Sequence, residues 1–211
     1  MRYLIGTRGS KLALVQTDYV IDKLKRAYPD DDFKAVIIKT TGDLEQKKAL
    51  DKIGSKGIFV NEIEDELLSG KIHMAVHSMK DMPDEPAAGL TFAKAWKRED
   101  PRDVLILREA VSVDDLPKGA VIGTGSKRRK YQLLKIRPDL NIVGIRGNVD
   151  TRIRKMQEEE MDGIVLAAAG INRLGREQEI TCYLEPDQMI PAPAQGTLAL
   201  EVKADNIQLI R

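Results

Sequence analysis

Lys80 and Asp81 set an ammonium and a carboxylate side by side within His77-Ser78-Met79-Lys80-Asp81-Met82-Pro83. The segment follows the apolar run Ile72 to Val76, so both charges fall where a buried strand would end. Opposite charges at a strand exit are expensive to desolvate for packing alone and point to a site. Three other segments carry hydroxyls or cations in the same kind of place. Arg8 and Ser10 follow an expected strand over 3–6; Thr124, Ser126, Arg128 and Arg129 follow one over 120–123; Arg146, Asn148 and Arg152 follow one over 141–145. Helix N-termini expected beside these positions offer free N–H groups and a favourable dipole to anions. The planar fork of arginine binds a carboxylate bidentately and keeps its charge at any working pH. Taken singly, each of these arginines reads as a solvated surface residue; their shared topological position favours a ligand with several carboxylates. An acid among cations has a different use: Asp81 can accept a hydrogen bond from a ligand N–H or steady a cation formed during reaction. Taken alone, it reads as a partner of Lys80 or the cap of a turn.

The elements that must position these groups alternate between strand and helix. Apolar residues from Ala13 to Tyr28 recur at helical spacing until Pro29, and Val36-Ile37-Ile38 marks a strand. Val60, Ile63, Leu67 and Leu68 mark a second helix, with Gly70 placed as its cap. Three strand–helix units follow: 120–123 into 130–136, 141–145 into 151–159, and 163–167 into 168–174. This alternation predicts an α/β fold with parallel-rich sheets and helices on both faces, and the length suits two such domains. The expected division is residues 1–97 plus 191–211 for the first domain and 98–190 for the second. Between Thr41 and Gly57 the periodicity fails, and Gly42, Gly54 and Gly57 accompany Lys47, Lys48, Lys52 and Lys56. That stretch reads either as a solvated loop or as a lid that carries cations over a cleft. Ligands of open α/β sheets bind outside the carboxyl ends of the strands, where the polar clusters fall.

Composition narrows the function classes. Lys and Arg number 34 against 33 Asp and Glu, a net charge of +1, and aromatics make up 4% of 211 residues. Nucleic-acid binding through bulk charge or base stacking is therefore not expected. One cysteine, Cys182, allows no intramolecular disulfide and suits a reducing compartment. No apolar run approaches the roughly 20 residues that cross a bilayer, and the chain opens directly on a strand, so a cytoplasmic location without membrane association is expected. His73 and His77 are the only histidines, and no spacing suggests a metal site.

The chain resembles porphobilinogen deaminase, also called hydroxymethylbilane synthase. The resemblance rests on Thr7-Arg8-Gly9-Ser10, Thr41-Gly42-Asp43, Gly54-Ser55-Lys56-Gly57-Ile58-Phe59, His77 to Pro83, Arg98 to Asp103, Gly123 to Arg129, Arg146 to Arg152, Ala169 to Gly175 and Pro191 to Gly196. These segments span the chain in family order. The resemblance implies a transferase that joins four porphobilinogen units head to tail with release of ammonia, in tetrapyrrole and haem biosynthesis. It implies two hinged α/β domains like the lobes of type II periplasmic binding proteins. It also implies a dipyrromethane cofactor, linked by thioether to a cysteine of a third domain. Asp81 then corresponds to the catalytic carboxylate, which contacts pyrrole N–H groups and stabilises the azafulvene-like cation. Arg8, Ser10, Ser78, Lys80, Thr124, Ser126, Arg128, Arg129, Arg146, Arg152 and Gln195 correspond to substrate- and cofactor-binding residues. Asp43, Lys52, Lys56 and Phe59 correspond to the lid and its base. The expected partners are porphobilinogen and the growing oligopyrrole, with no nucleic acid and no membrane, and the protein is expected to be a monomer. Lys11 and Gly125 depart from the family's common proline and serine. Cys182, in Ile180-Thr181-Cys182-Tyr183, matches nothing in the family's Gly-Gly-Cys-type anchoring loop, so the expectation is a chain without the third domain and inactive alone. A hinged module that binds anions or solutes without catalysis is the alternative from a different class.

Overall fold

A computed structural model describes residues 1–40 and 60–210. They form two compact units, Met1–Arg98 with Thr197–Arg211, and Glu99–Gly196. In the first, β1 (Arg2–Thr7), β2 (Asp32–Ile37), β3 (Met74–Ser78), β4 (Leu90–Phe92) and β10 (Leu198–Lys203) form one sheet in the order β2-β1-β3-β10-β4. In the second, β5 (Asp103–Leu107), β6 (Val121–Gly123), β7 (Asn141–Val143), β8 (Gly163–Ala167) and β9 (Cys182–Leu184) form another in the order β7-β6-β8-β5-β9. The two orders share one plan. Three parallel strands stand at one side, then a strand antiparallel to both neighbours, then an edge strand.

The expected α/β fold with parallel-rich sheets is present, but each sheet is mixed. The antiparallel members, β5 and β10, are the first strands laid down after the chain crosses from one unit to the other. Their short-range signal is weak: all five residues of β5 are buried, so it shows no alternation. Its side chains serve both faces, with Val104 and Ile106 in one core and Leu105 and Leu107 in another.

Helix α1 (Lys11–Ala27) starts at Ser10, whose hydroxyl accepts the Ala13 N–H at 3.3 Å. It ends at Tyr28, held out of helical geometry by Pro29. Helix α3 (Lys127–Ile136) repeats the design, with Ser126 accepting from Arg129 N and Arg137 preceding Pro138. Helix α2 (Asn61–Leu68) is followed by Gly70 at φ +76°, where a left-handed residue closes the helix. Helices α4 (Val149–Glu158), α5 (Ala168–Arg173) and the short α6 (Ile207–Ile210) complete the set among the described residues. Val20 and Ile21 of α1 pack on Tyr3, Ile5, Met74 and Val76, while Ile63 and Leu67 of α2 pack on Ile72, Ala75 and Leu90. The first sheet is thus covered on both faces.

Strand β3 runs to Ser78, two residues beyond the expected end. Ser78 is therefore the last strand residue, paired with Leu198, and not part of the following loop. Residues 191–196 are assigned to the second unit. Gln195 donates to Pro101 O, and both Arg173 and the Glu99 N–H donate to Gly196 O.

Candidate functional site

The first unit has a cleft of about 100 Å³ at the carboxyl ends of β1 and β3. Arg8, Ser10, Gln16, His77, Ser78 and Asp81 provide its polar lining, and Leu12, Ala13, Val60, Val76 and Met82 contribute apolar surface. Four of the residues picked out in the sequence therefore meet in one place. Asp81 ends a single 3₁₀ turn, Met79–Asp81, pinned by Met79 N donating to Thr197 O and Met82 N donating to Met79 O. Its carboxylate is exposed, as is Lys80. Lys80 is not part of the cleft lining.

Gln16 and His77 were not anticipated. Gln16 is buried on the sheet-facing side of α1 and donates Nε2 to Ser78 Oγ at 3.2 Å. A polar residue amid the apolar face of an amphipathic helix was its only signal. His77 lines the cleft and sets Nε2 3.3 Å from Glu201 Oε2, a carboxylate with no exposure. Glu64 of α2 lies near this pair. Burial, and then the Glu201 carboxylate, raise its pKa, and His77 works in the opposite direction. The native state therefore holds the Glu64 proton more tightly than the unfolded chain. Its stability benefit is present at low pH and is lost as pH rises through the folded value. Glu64→Gln should raise the melting temperature at pH 7–8 and leave it unchanged near pH 4, read by calorimetric scans across that range.

The second unit gathers its own cluster around Asp103, at the start of β5 and fully buried. Arg129, 6% exposed, donates Nε and Nη2 to Asp103 Oδ1 at 3.0 and 2.7 Å and Nη1 to Val165 O at 3.1 Å. Arg128 pairs Nη2 with Asp103 Oδ2 at 2.7 Å and donates Nη1 to Ile190 O at 2.5 Å. Gln195 adds Nε2 to Asp103 Oδ1 at 3.0 Å. Three of the predicted binding residues are thus joined by one carboxylate absent from the predicted set. An acid leading a wholly apolar strand was the available signal. Thr124 is buried and its hydroxyl accepts the Ser126 N–H at 3.2 Å.

Arg146 and Arg152 sit around the turn after β7. Gly147 adopts φ +122°, and a Cβ there would come within 2.5 Å of Thr151 Cγ2, so the turn requires glycine. It lets Asn148 cap α4 through Thr151 N at 2.8 Å and places Gly147 O to receive Arg152 Nε at 2.8 Å. Among the described residues Arg146 Nη1 is buried without a hydrogen-bond partner. A buried guanidinium N–H left unmatched is costly, and an anionic oxygen is the group that would satisfy it. This fits a cofactor or substrate rich in carboxylates.

Asp43, Lys52, Lys56 and Phe59 lie outside the described residues. Cys182 is half-buried at the start of β9, and burial raises its thiol pKa, which lowers its thiolate content. Among the described residues no cluster of three metal-ligating side chains occurs, and no helix is long and apolar enough to cross a membrane.

Residues 3–211 match the family model described as porphobilinogen deaminase, dipyromethane cofactor binding domain. The chain is 65% identical over 212 residues to the porphobilinogen deaminase of Lachnospira eligens, covering 100% of this chain and 72% of that protein. It is 63% identical over 207 residues to that of Clostridioides difficile, covering 98% and 69%. Among solved structures, the extracellular-binding protein YtmK of Bacillus subtilis aligns with a TM-score of 0.56 at 12% identity, over 99% of this chain and 87% of that one. The periplasmic VFT2 domain of Bordetella pertussis BvgS aligns with a TM-score of 0.53 at 16% identity, over 100% and 83%. The structural likeness is one of fold, that of periplasmic-binding-protein-like two-lobe proteins. Sequence identity over the whole chain carries the assignment further: the chain belongs to the porphobilinogen deaminase family.

Proposed function

We propose that this chain binds porphobilinogen and carries the site at which porphobilinogen units are joined head to tail with loss of ammonia, with Asp81 as the catalytic carboxylate. The observation that carries this reading is that Arg8, Ser10, Ser78 and Asp81 line one cleft. Porphobilinogen bears an acetate, a propionate and a pyrrole N–H. Arg8 and the two hydroxyls suit its carboxylates, and Asp81 suits the N–H. When ammonia leaves, positive charge spreads over the ring, and a fixed carboxylate at the N–H is stronger for the cation than for the neutral ring. Such a contact contributes about 3 kcal/mol to a transition state. Lys80 adds positive charge beside Asp81. In the second unit Arg146 offers its unmatched Nη1, and Arg152, Arg128, Thr124 and Ser126 are its neighbours in role; Arg129 and Gln195 orient Asp103 and through it Arg128.

The family's dipyrromethane fits the same chemistry, since its carboxylate side chains are what Arg146 Nη1 lacks. When bound, it supplies the pyrrole end on which the growing chain is anchored. Cys182, half-buried and with a raised pKa, does not suit its attachment. We place the protein in the cytoplasm, in keeping with its single cysteine, and take it as a monomer.

Calorimetry of the chain with porphobilinogen, succinate and sulfate tests the reading. Porphobilinogen is expected to bind at least about tenfold more tightly than either anion, the worth of one added charge-assisted hydrogen bond. Equal affinity for all three would leave only an anion-binding module.

A further inference from the structure

Helix α1 buries Gln16, Thr17, Val20 and Ile21 against the first sheet. Thr17 satisfies its hydroxyl within the helix by donating to Ala13 O at 2.9 Å. Gln16 has no such local solution. Its amide, 4% exposed, reaches across to β3 and donates to Ser78 Oγ at 3.2 Å, and both residues line the cleft that holds Arg8 and Asp81. An amide at a helix position that packs on a sheet is costly unless it is hydrogen-bonded, and leucine would pack there without that cost. The amide is therefore explained by what it does to Ser78.

A serine hydroxyl has one proton and two lone pairs. With a lone pair occupied by Gln16 Nε2, the Ser78 proton is turned away from the amide and is available to an acceptor. Ser78 itself cannot drift, because it is the last residue of β3, paired with Leu198 and followed at once by the Met79–Asp81 turn. We propose that Gln16 is a positioning residue that turns the Ser78 hydroxyl proton into the cleft, so that this point favours a carboxylate oxygen of the substrate. The proposal deepens the assignment of the cleft to porphobilinogen and rests on it.

The test is a double-mutant cycle on the full chain, with porphobilinogen affinity read by calorimetry and folding by thermal scans. Gln16→Met and Ser78→Ala are each expected to weaken binding about tenfold, and the double variant also about tenfold, because the amide acts only through the hydroxyl. A merely structural role for Gln16 would lower the melting temperature and add its effect to that of Ser78→Ala, giving about a hundredfold loss. Additive losses, or an unchanged affinity in Gln16→Met, overturn the proposal. If Gln16→Met does not fold, Gln16→Leu, which can pack on the sheet without the amide, serves in the same cycle; equal losses in the wild-type and Ser78→Ala backgrounds overturn the proposal. Failure of the wild-type chain to bind porphobilinogen would remove the site reading and this inference together, whereas wild-type binding with an additive cycle removes the inference alone.

Discussion

Asp103→Ala is expected to destabilise the second unit by about 3–5 kcal/mol, the usual cost of removing one partner from a buried ion pair. The carboxylate has no exposure and receives Arg128, Arg129 and Gln195. Without it, the Nε and Nη2 of buried Arg129 and the Nε2 of Gln195 lose the Asp103 oxygen to which they donate. Burying a charge unmatched costs far more than losing a surface contact. Urea unfolding at pH 7 checks the value, since the midpoint should fall with little change in slope. A loss under about 1 kcal/mol, the range of an exposed pair, would mean that both guanidiniums reach water and that Asp103 holds nothing. Asp103→Asn should fall between, because the amide keeps one acceptor.

Asp81→Ala is expected to lower porphobilinogen affinity by about 10–100-fold, the range of a hydrogen bond to a charged group, while succinate affinity stays unchanged or rises. Any ammonia release from porphobilinogen should fall by about 10²–10³-fold, the effect of losing one preorganised electrostatic contact. The structural cost should be slight. Asp81 is exposed at the end of a 3₁₀ turn whose hydrogen bonds run through backbone atoms. Calorimetry with both ligands separates the outcomes. An equal loss for porphobilinogen and succinate would assign Asp81 to shaping the cleft, and no loss for either would remove it from the site.

Much of the site was legible because its residues follow strands, and strand ends are local events. Arg8, Ser10, Ser78 and Asp81 could be placed from the apolar runs before them, and they line one cleft. Ser10, Ser126 and Asn148, read only as polar residues beside expected helix N-termini, turn out to cap those helices. The boundary of β3 was misplaced by two residues because His77 and Ser78 are polar. Both are held in the strand by pairing with Ala199 and Leu198, residues more than a hundred positions away.

The sequence by itself determined the α/β class, the family and the chemical types at the site, because periodicity, capping and motif are written in neighbouring residues. Tertiary structure alone decided which of these charges meet a partner within the protein. Arg128, Arg129 and Arg146 look alike in the chain. Folding brings Asp103 to the first two, while among the described residues Nη1 of the third is buried with no hydrogen-bond partner. It likewise turned Gln16, an unremarkable helix residue, into the partner of Ser78. The physical reason is common to these cases: a buried polar group takes its meaning from the partner that desolvates with it, and that partner comes from a distant strand.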